Sequence, residues 1–134
     1  MMIRHASIYD ARQPSDADGL RVLVMRQWPR GVKRERIDLW LKDAAPSREL
    51  LDAYNHAGLG WDEFERRYRS EMLDDRPAVL DQLRQLAAEH GVLTLLCHER
   101  IPPREHCHRE VLVDLLKRMS SCRPRSRRPR RQAS

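Results

Sequence analysis

The chain has 134 residues, enough for one hydrophobic core and too few for two ordinary domains. Its formal charge of +6 resembles that of a nucleic-acid binder, but six arginines (Arg123, Arg125, Arg127, Arg128, Arg130, Arg131) lie beyond Met119 with no acid among them, so residues 1–118 are formally neutral. No run approaches the ~20 apolar residues that span a bilayer, the N-terminus lacks a signal-peptide core, and Cys97, Cys107 and Cys122 make an odd count; together these predict free thiols, a cytoplasmic location and no membrane association.

In chain order, Ile3 to Tyr9 is short and tolerant of β structure, and Leu20-Arg21-Val22-Leu23-Val24-Met25 is a stronger strand bounded by Asp18-Gly19 and Pro29. Ser47 caps a predicted helix through about His56, which Gly58 and Gly60 interrupt. Trp61, Phe64 and Tyr68 recur at helical spacing, continue to Met72, and predict a second helix ending near Asp74. Pro77 suits the first turn of a third helix, whose face of Val79, Leu83 and Leu86 stops at Gly91. Val92 to Cys97 is nearly continuous apolar sequence, as expected of a strand buried on both faces of a parallel sheet. A fourth helix is predicted from about Arg104 to Arg118, with Val111, Leu112, Leu115 and Leu116 inward. These elements predict a small layered α/β domain over residues 1–118, with a short, mostly parallel sheet flanked by about four helices and a right-handed crossover from the second strand to the third. Residues 119–134, rich in Arg, Ser and Pro, have too little apolar surface to offset the entropy of ordering and are predicted to be a disordered tail.

In open α/β sheets, ligands collect beyond the carboxyl ends of the strands, and two strands here end in unusual loops. Arg26-Gln27-Trp28-Pro29-Arg30-Gly31 follows one of them: Pro29 holds Trp28 extended, Gly31 permits a positive φ, and Arg26 and Arg30 flank an aromatic wall. Two guanidiniums beside an indole suit a phosphate, a carboxylate or a stacked base. The structural alternative makes Trp28 core and pairs the arginines with Asp38 or Asp43. The other loop carries Cys97-His98-Glu99 to Cys107-His108-Arg109 across Pro102-Pro103. Cys107 falls in the first turn of the predicted helix, where the macrodipole and nearby cations favour thiolate; His108 or His98 is then a candidate base, Glu99 a general base or arginine partner, and Arg109 an anion contact. Cys107 also shares an apolar face with Val111, and buried cysteine is common packing material. Local pairing of Glu105 with Arg109 and of His106 with Glu110 is the bland reading of the helix start.

Metal binding is not assigned from the pattern, and no cofactor is indicated. Adjacent side chains diverge by about 100° on a helix and point to opposite faces of a strand, so Cys107 with His108, or Cys97 with His98, should not readily meet one ion. At best Cys97, Glu99 and Cys107, or His98 with His108, converge. A cysteine phosphatase signature is absent too, because Arg104 follows Cys97 after six residues rather than five.

The segments Arg21-Val-Leu-Val-Met-Arg26-Gln-Trp28-Pro29-Arg30-Gly31 and Asp38-Leu-Trp40-Leu-Lys42-Asp43-Ala-Ala-Pro46-Ser47, then Trp61 to Glu71 and Thr94 to Cys97, closely resemble the bacterial family called domain of unknown function 488. The resemblance covers about residues 3–117 and implies a small cytosolic α/β protein, with no established activity to carry over. Two departures stand out. Met25 occupies a position where the family typically has an acid, and the Cys-His-Glu…Cys-His-Arg ending is similar to a cysteine-bearing branch rather than to the Trp-Pro-Arg-Gly branch.

The leading expectation is a domain that binds or acts on a small anionic or nucleotide-like molecule, with Arg26, Trp28, Arg30 and Arg109 binding and Cys97, Cys107, Glu99 and His108 reacting. Whether it is an enzyme stays open at this level. The alternatives are phosphate-backbone binding through the arginine tail, and a metal-binding or non-catalytic interaction module that uses an exposed Trp40-Leu41 patch.

Overall fold

The computed structural model describes residues 2–10, 14–99 and 106–122. Within these residues four strands form one sheet: β1 (Met2–Ser7), β2 (Leu20–Leu23), β3 (Leu39–Trp40) and β4 (Val92–Cys97), in the spatial order β1-β4-β2-β3 with every pairing parallel. Among the described residues, four α-helices accompany them: α1 (Arg48–His56), α2 (Trp61–Ser70), α3 (Pro77–His90) and α4 (His108–Cys122). The predicted α/β class, the parallel sheet and the helix number are thus present. The first two strands end sooner than predicted, at Ser7 and Leu23, and β3 had no periodic signal because it is two residues long.

Ser47 does cap α1, accepting from the Leu50 amide at 3.2 Å. Helix α2 passes into a π-helical turn, Glu71–Asp75, before Pro77 opens α3. Helix α4 reaches Cys122, past its predicted end at Arg118, and Met119 packs against the core. The predicted start at Arg104, the Pro102-Pro103 break, the Glu105 pairing and the tail beyond Cys122 lie outside the described residues. Among the described residues, no helix is long and apolar enough to cross a membrane.

Alternation along the strands divides the core. Ile3, Val22, Val24, Leu93 and Leu95 share one cluster with Leu50 of α1, Phe64 and Tyr68 of α2, Leu80, Leu83 and Ala87 of α3, and Val111, Leu112, Leu115 and Leu116 of α4. Leu23 and Leu96 point the other way, into a smaller cluster with Ile8 and Val32, lined by Trp28, Ile37 and Trp40. Trp40 is half-buried there: its indole Nε1 donates to Met25 O at 2.7 Å, its ring meets Trp28 edge-on at 5.3 Å, and Lys42 Nζ lies 4.4 Å from its centroid. Each fully buried leucine contributes about 2 kcal/mol, so the larger cluster dominates stability.

Two polar devices fix how β2 meets β4. Gly19, at φ 61°, brings the chain so close to Val92 that a Cβ there would stand 2.1 Å from the Val92 carbonyl oxygen. Beside it, Arg21 (2% exposed) donates to Asp18 Oδ2 at 2.6 Å and to Arg36 O at 2.7 Å, while Thr94 Oγ1 donates to Asp18 O at 2.7 Å. These bonds settle the register Leu20↔Leu93 to Leu23↔Leu96, which places the carboxyl ends of β1, β2 and β4 side by side.

Candidate functional site

Beyond those strand ends lies a cavity of about 320 Å³, lined by Met25, Arg26 and Gln27 after β2, by Ala45 and Pro46, by Arg48, Leu51, Asp52 and Asn55 of α1, and by His98, Glu99 and His108. Its wall at Ala45 and Pro46 is braced from behind. Glu71 accepts from the Ser47 amide at 2.9 Å and from Ser47 Oγ at 2.5 Å, and also from Arg76 at 2.9 Å. Arg76 in turn donates to Ala45 O at 2.8 Å, and Tyr68 Oη donates to Ala44 O at 2.5 Å. Pro46 O then receives Arg26 Nε at 2.8 Å, with Asp43 3.7 Å from the same guanidinium, so Arg26 is held at the cavity edge rather than left mobile. Burial raises the Tyr68 phenol far above the ordinary tyrosine range and keeps it a neutral donor.

The thiols lie just beneath. Cys97 ends β4 and Cys107 immediately precedes α4; each is 1% exposed, and their Sγ atoms are 3.3 Å apart as free thiols. Cys107 closes a capping arrangement, its backbone carbonyl accepting from the Glu110 amide at 3.0 Å and its own amide donating to Glu110 Oε1 at 3.1 Å. His106 is 3.4 Å from the same carboxylate.

This placement corrects the expectation that Cys107 and His108 diverge. The ~100° rotation holds between two helical residues, whereas Cys107 sits before the first helical residue. Its Sγ consequently lies 3.6 Å from His108 Nδ1. His108 Nε2 is 2.6 Å from Val24 O, which can only accept, so Nε2 carries a proton, and in the neutral ring it is Nδ1, facing Cys107, that carries the lone pair. Arg109 (2% exposed) donates to Glu99 O at 2.6 Å, to Cys97 Sγ at 3.1 Å and to His5 Nδ1 at 3.3 Å. The hydrogen bond with Cys107, followed by burial, pushes the Cys97 thiol well above the ordinary cysteine range, against the opposing pull of His108 and Arg109.

The eight candidate residues thus separate into three groups. Arg26, Glu99 and His108 line the cavity; Cys97, Cys107 and Arg109 are buried next to it. Trp28 and Arg30 are not in the lining. Trp28 closes its own loop by donating to Val32 O at 2.7 Å, and Arg30 is exposed, its carbonyl accepting from Tyr9 Oη at 2.8 Å. Gly31 has the expected positive φ, 76°, but the turn carries Arg30 outward. Asp38 and Asp43 divide as the structural alternative foresaw only in part: Asp43 neighbours Arg26, while Asp38 accepts from the Arg21 amide at 2.8 Å. Sequence reasoning missed Arg48, Asp52 and Asn55, although their spacing of four and three residues marks one polar face of α1.

The family model described as the active DUF488-N3 subclade matches residues 3–120. An uncharacterised Mycobacterium tuberculosis protein, Rv3073c, is 40% identical over 116 residues, spanning 85% of this chain and 92% of its own. The uncharacterised Escherichia coli protein YeaO is 32% identical over 121 residues, spanning 87% and 98%. No solved structure matches. With the matching segment running from β1 through most of α4, the chain belongs to the DUF488 family, within its DUF488-N3 subclade.

Proposed function

We propose that this protein binds a small anionic, nucleotide-like molecule in the cavity at the carboxyl ends of β2 and β4. The observation that carries this reading is the composition of the cavity wall: two arginines, Arg26 and Arg48, and two amide side chains, Gln27 and Asn55, line it together with His98, Glu99 and His108. The volume of about 320 Å³ is at the lower end of small-molecule sites and has room for one compact ligand. Cys97, neutral and buried, is not the attacking group in this scheme.

The test is calorimetric titration of the full chain with inorganic phosphate, a mononucleotide and a dicarboxylate. At least one should bind, and Arg26→Ala and Arg48→Ala should each weaken it by about tenfold or more, the loss expected for one charge-assisted contact. Failure of all three probes, or equal affinity in both variants, would remove the reading. The charge partition supports a second reading, in which the tail binds nucleic-acid backbones independently of the cavity. Replacing its six arginines by serine in the full chain should then abolish salt-sensitive retention on RNA and DNA; unchanged retention removes the tail from consideration.

A further inference from the structure

We infer that Cys97, Glu99, Cys107 and His108 form a zinc site at the floor of the cavity. Each offers one ligand atom, and the four atoms lie within 4.8 Å of one another. Two sulfurs, one imidazole nitrogen and one carboxylate oxygen make a borderline donor set of the kind that zinc takes tetrahedrally. With bonds of about 2.3 Å to sulfur and about 2.05 Å to nitrogen, tetrahedral angles put two sulfurs about 3.8 Å apart and a sulfur and a nitrogen about 3.6 Å apart. The observed separations are 3.3 Å between Cys97 and Cys107 and 3.6 Å between Cys107 and His108 Nδ1. Opening the thiol pair by about half an ångström and drawing in the Glu99 carboxylate completes the shell.

Three features around the ligands point the same way. The His108 ring donates its other nitrogen's proton to Val24 O at 2.6 Å, the backbone anchor that typically orients a metal-bound imidazole and leaves the ligating nitrogen unprotonated. Arg109 donates to Cys97 Sγ at 3.1 Å, as donors to metal-bound sulfur do. It also settles the charge. Two thiolates, one carboxylate and a dication leave one negative charge over, and the buried guanidinium stands against it. The backbone is arranged in advance, with Cys97 ending the central strand β4 and Cys107 held by the Glu110 cap. On binding, the two thiols release two protons to solvent and no electron moves. Because Glu99 and His108 also line the cavity, a ligand there would sit directly above the ion.

The site stands or fails apart from the anion reading, because its test uses metal alone. Full-length protein, reduced with a non-chelating phosphine and stripped of metal, is titrated with Co²⁺ and then with Zn²⁺ against a chromogenic chelator. One Co²⁺ per chain should bind with strong near-ultraviolet thiolate-to-cobalt absorption, and equimolar Zn²⁺ should displace it. Cys107→Ser should halve that absorption and weaken binding by more than about a hundredfold, above the cost of losing a group that only hydrogen-bonds to a ligand. Glu99→Gln, at a half-buried position, should keep the full absorption and weaken binding by about tenfold or more. Circular dichroism of each metal-free variant separates lost ligation from lost folding. Cobalt bound without charge-transfer absorption, absorption unchanged in Cys107→Ser, or affinity unchanged in Glu99→Gln would each overturn the assignment.

Discussion

Replacing Asp18 by alanine should cost this small protein a large part of its stability, although Asp18 touches neither the cavity nor the thiols. Asp18 is 8% exposed and Arg21 is 2% exposed, with their charged atoms 2.6 Å apart. Removing the carboxylate takes away the counter-charge at that distance while Arg21 keeps its bond to Arg36 O. Breaking one side of a buried pair typically costs about 3–5 kcal/mol. Asp18 also accepts from the Ser15 amide at 3.1 Å, and Arg4 is only 3.8 Å away, so the loop before β2 loosens as well. The slight exposure of Asp18 and the retained Arg36 contact place the expected loss near the lower end, about 3 kcal/mol, or roughly 12 °C in Tm for a domain of this size. Urea denaturation followed by tryptophan fluorescence reads it, with Arg21→Met and the double variant completing a cycle. The single losses should exceed the double loss by about 2 kcal/mol in sum, because an apolar pair leaves no buried charge behind. A loss below about 1 kcal/mol for Asp18→Ala, or strictly additive single variants, would show that the pair does not hold the loop.

Two further outcomes follow from the same structure. Gly19→Ala combines a left-handed backbone with a Cβ 2.1 Å from Val92 O, so it should cost about 3–4 kcal/mol and broaden the urea transition; a variant within about 1 kcal/mol of the parent would mean that β2 and β4 can shift apart. His5 is pushed below 6.5 by burial and then by the Arg109 cation, so the unfolded chain takes up its proton first. Its contribution to stability is therefore complete above about pH 6.5 and is lost as pH falls below that. An imidazole NMR titration should give a midpoint under 6.5, and a midpoint at or above that value contradicts the Arg109 contact.

Much of the architecture was legible because it rests on short-range rules. The Ser47 cap, the Trp61-Phe64-Tyr68 stripe, Pro77 in a first helical turn and the apolar run of β4 each state a local preference that packing did not override. β3 was invisible, since two residues cannot show a period and their pairing depends on Val22 and Leu23. The entry to α4 at His108 carries little sequence signal for a related reason. Cysteine is not a familiar capping residue, so Glu110 three positions later was assigned to His106 alone when it also caps Cys107.

The sequence by itself determined which reactive side chains follow which strands: Arg26 after β2, Cys97 and Glu99 at the end of β4, Cys107 and His108 at the entry to α4. Strand order and register decided whether they meet, and those depend on contacts between residues far apart in the chain. The Gly19 approach to Val92 and the bonds of Asp18 to Arg21 and Thr94 align β2 with β4, which puts Val24 O within reach of His108 Nε2 and turns Nδ1 toward the thiols. The same packing sends Trp28 and Arg30 away from the cavity and brings Arg48, Asp52 and Asn55 to it. Periodicity reports the direction of a side chain relative to its own element; the opposing wall comes from another element, and only the folded chain sets the distance between them.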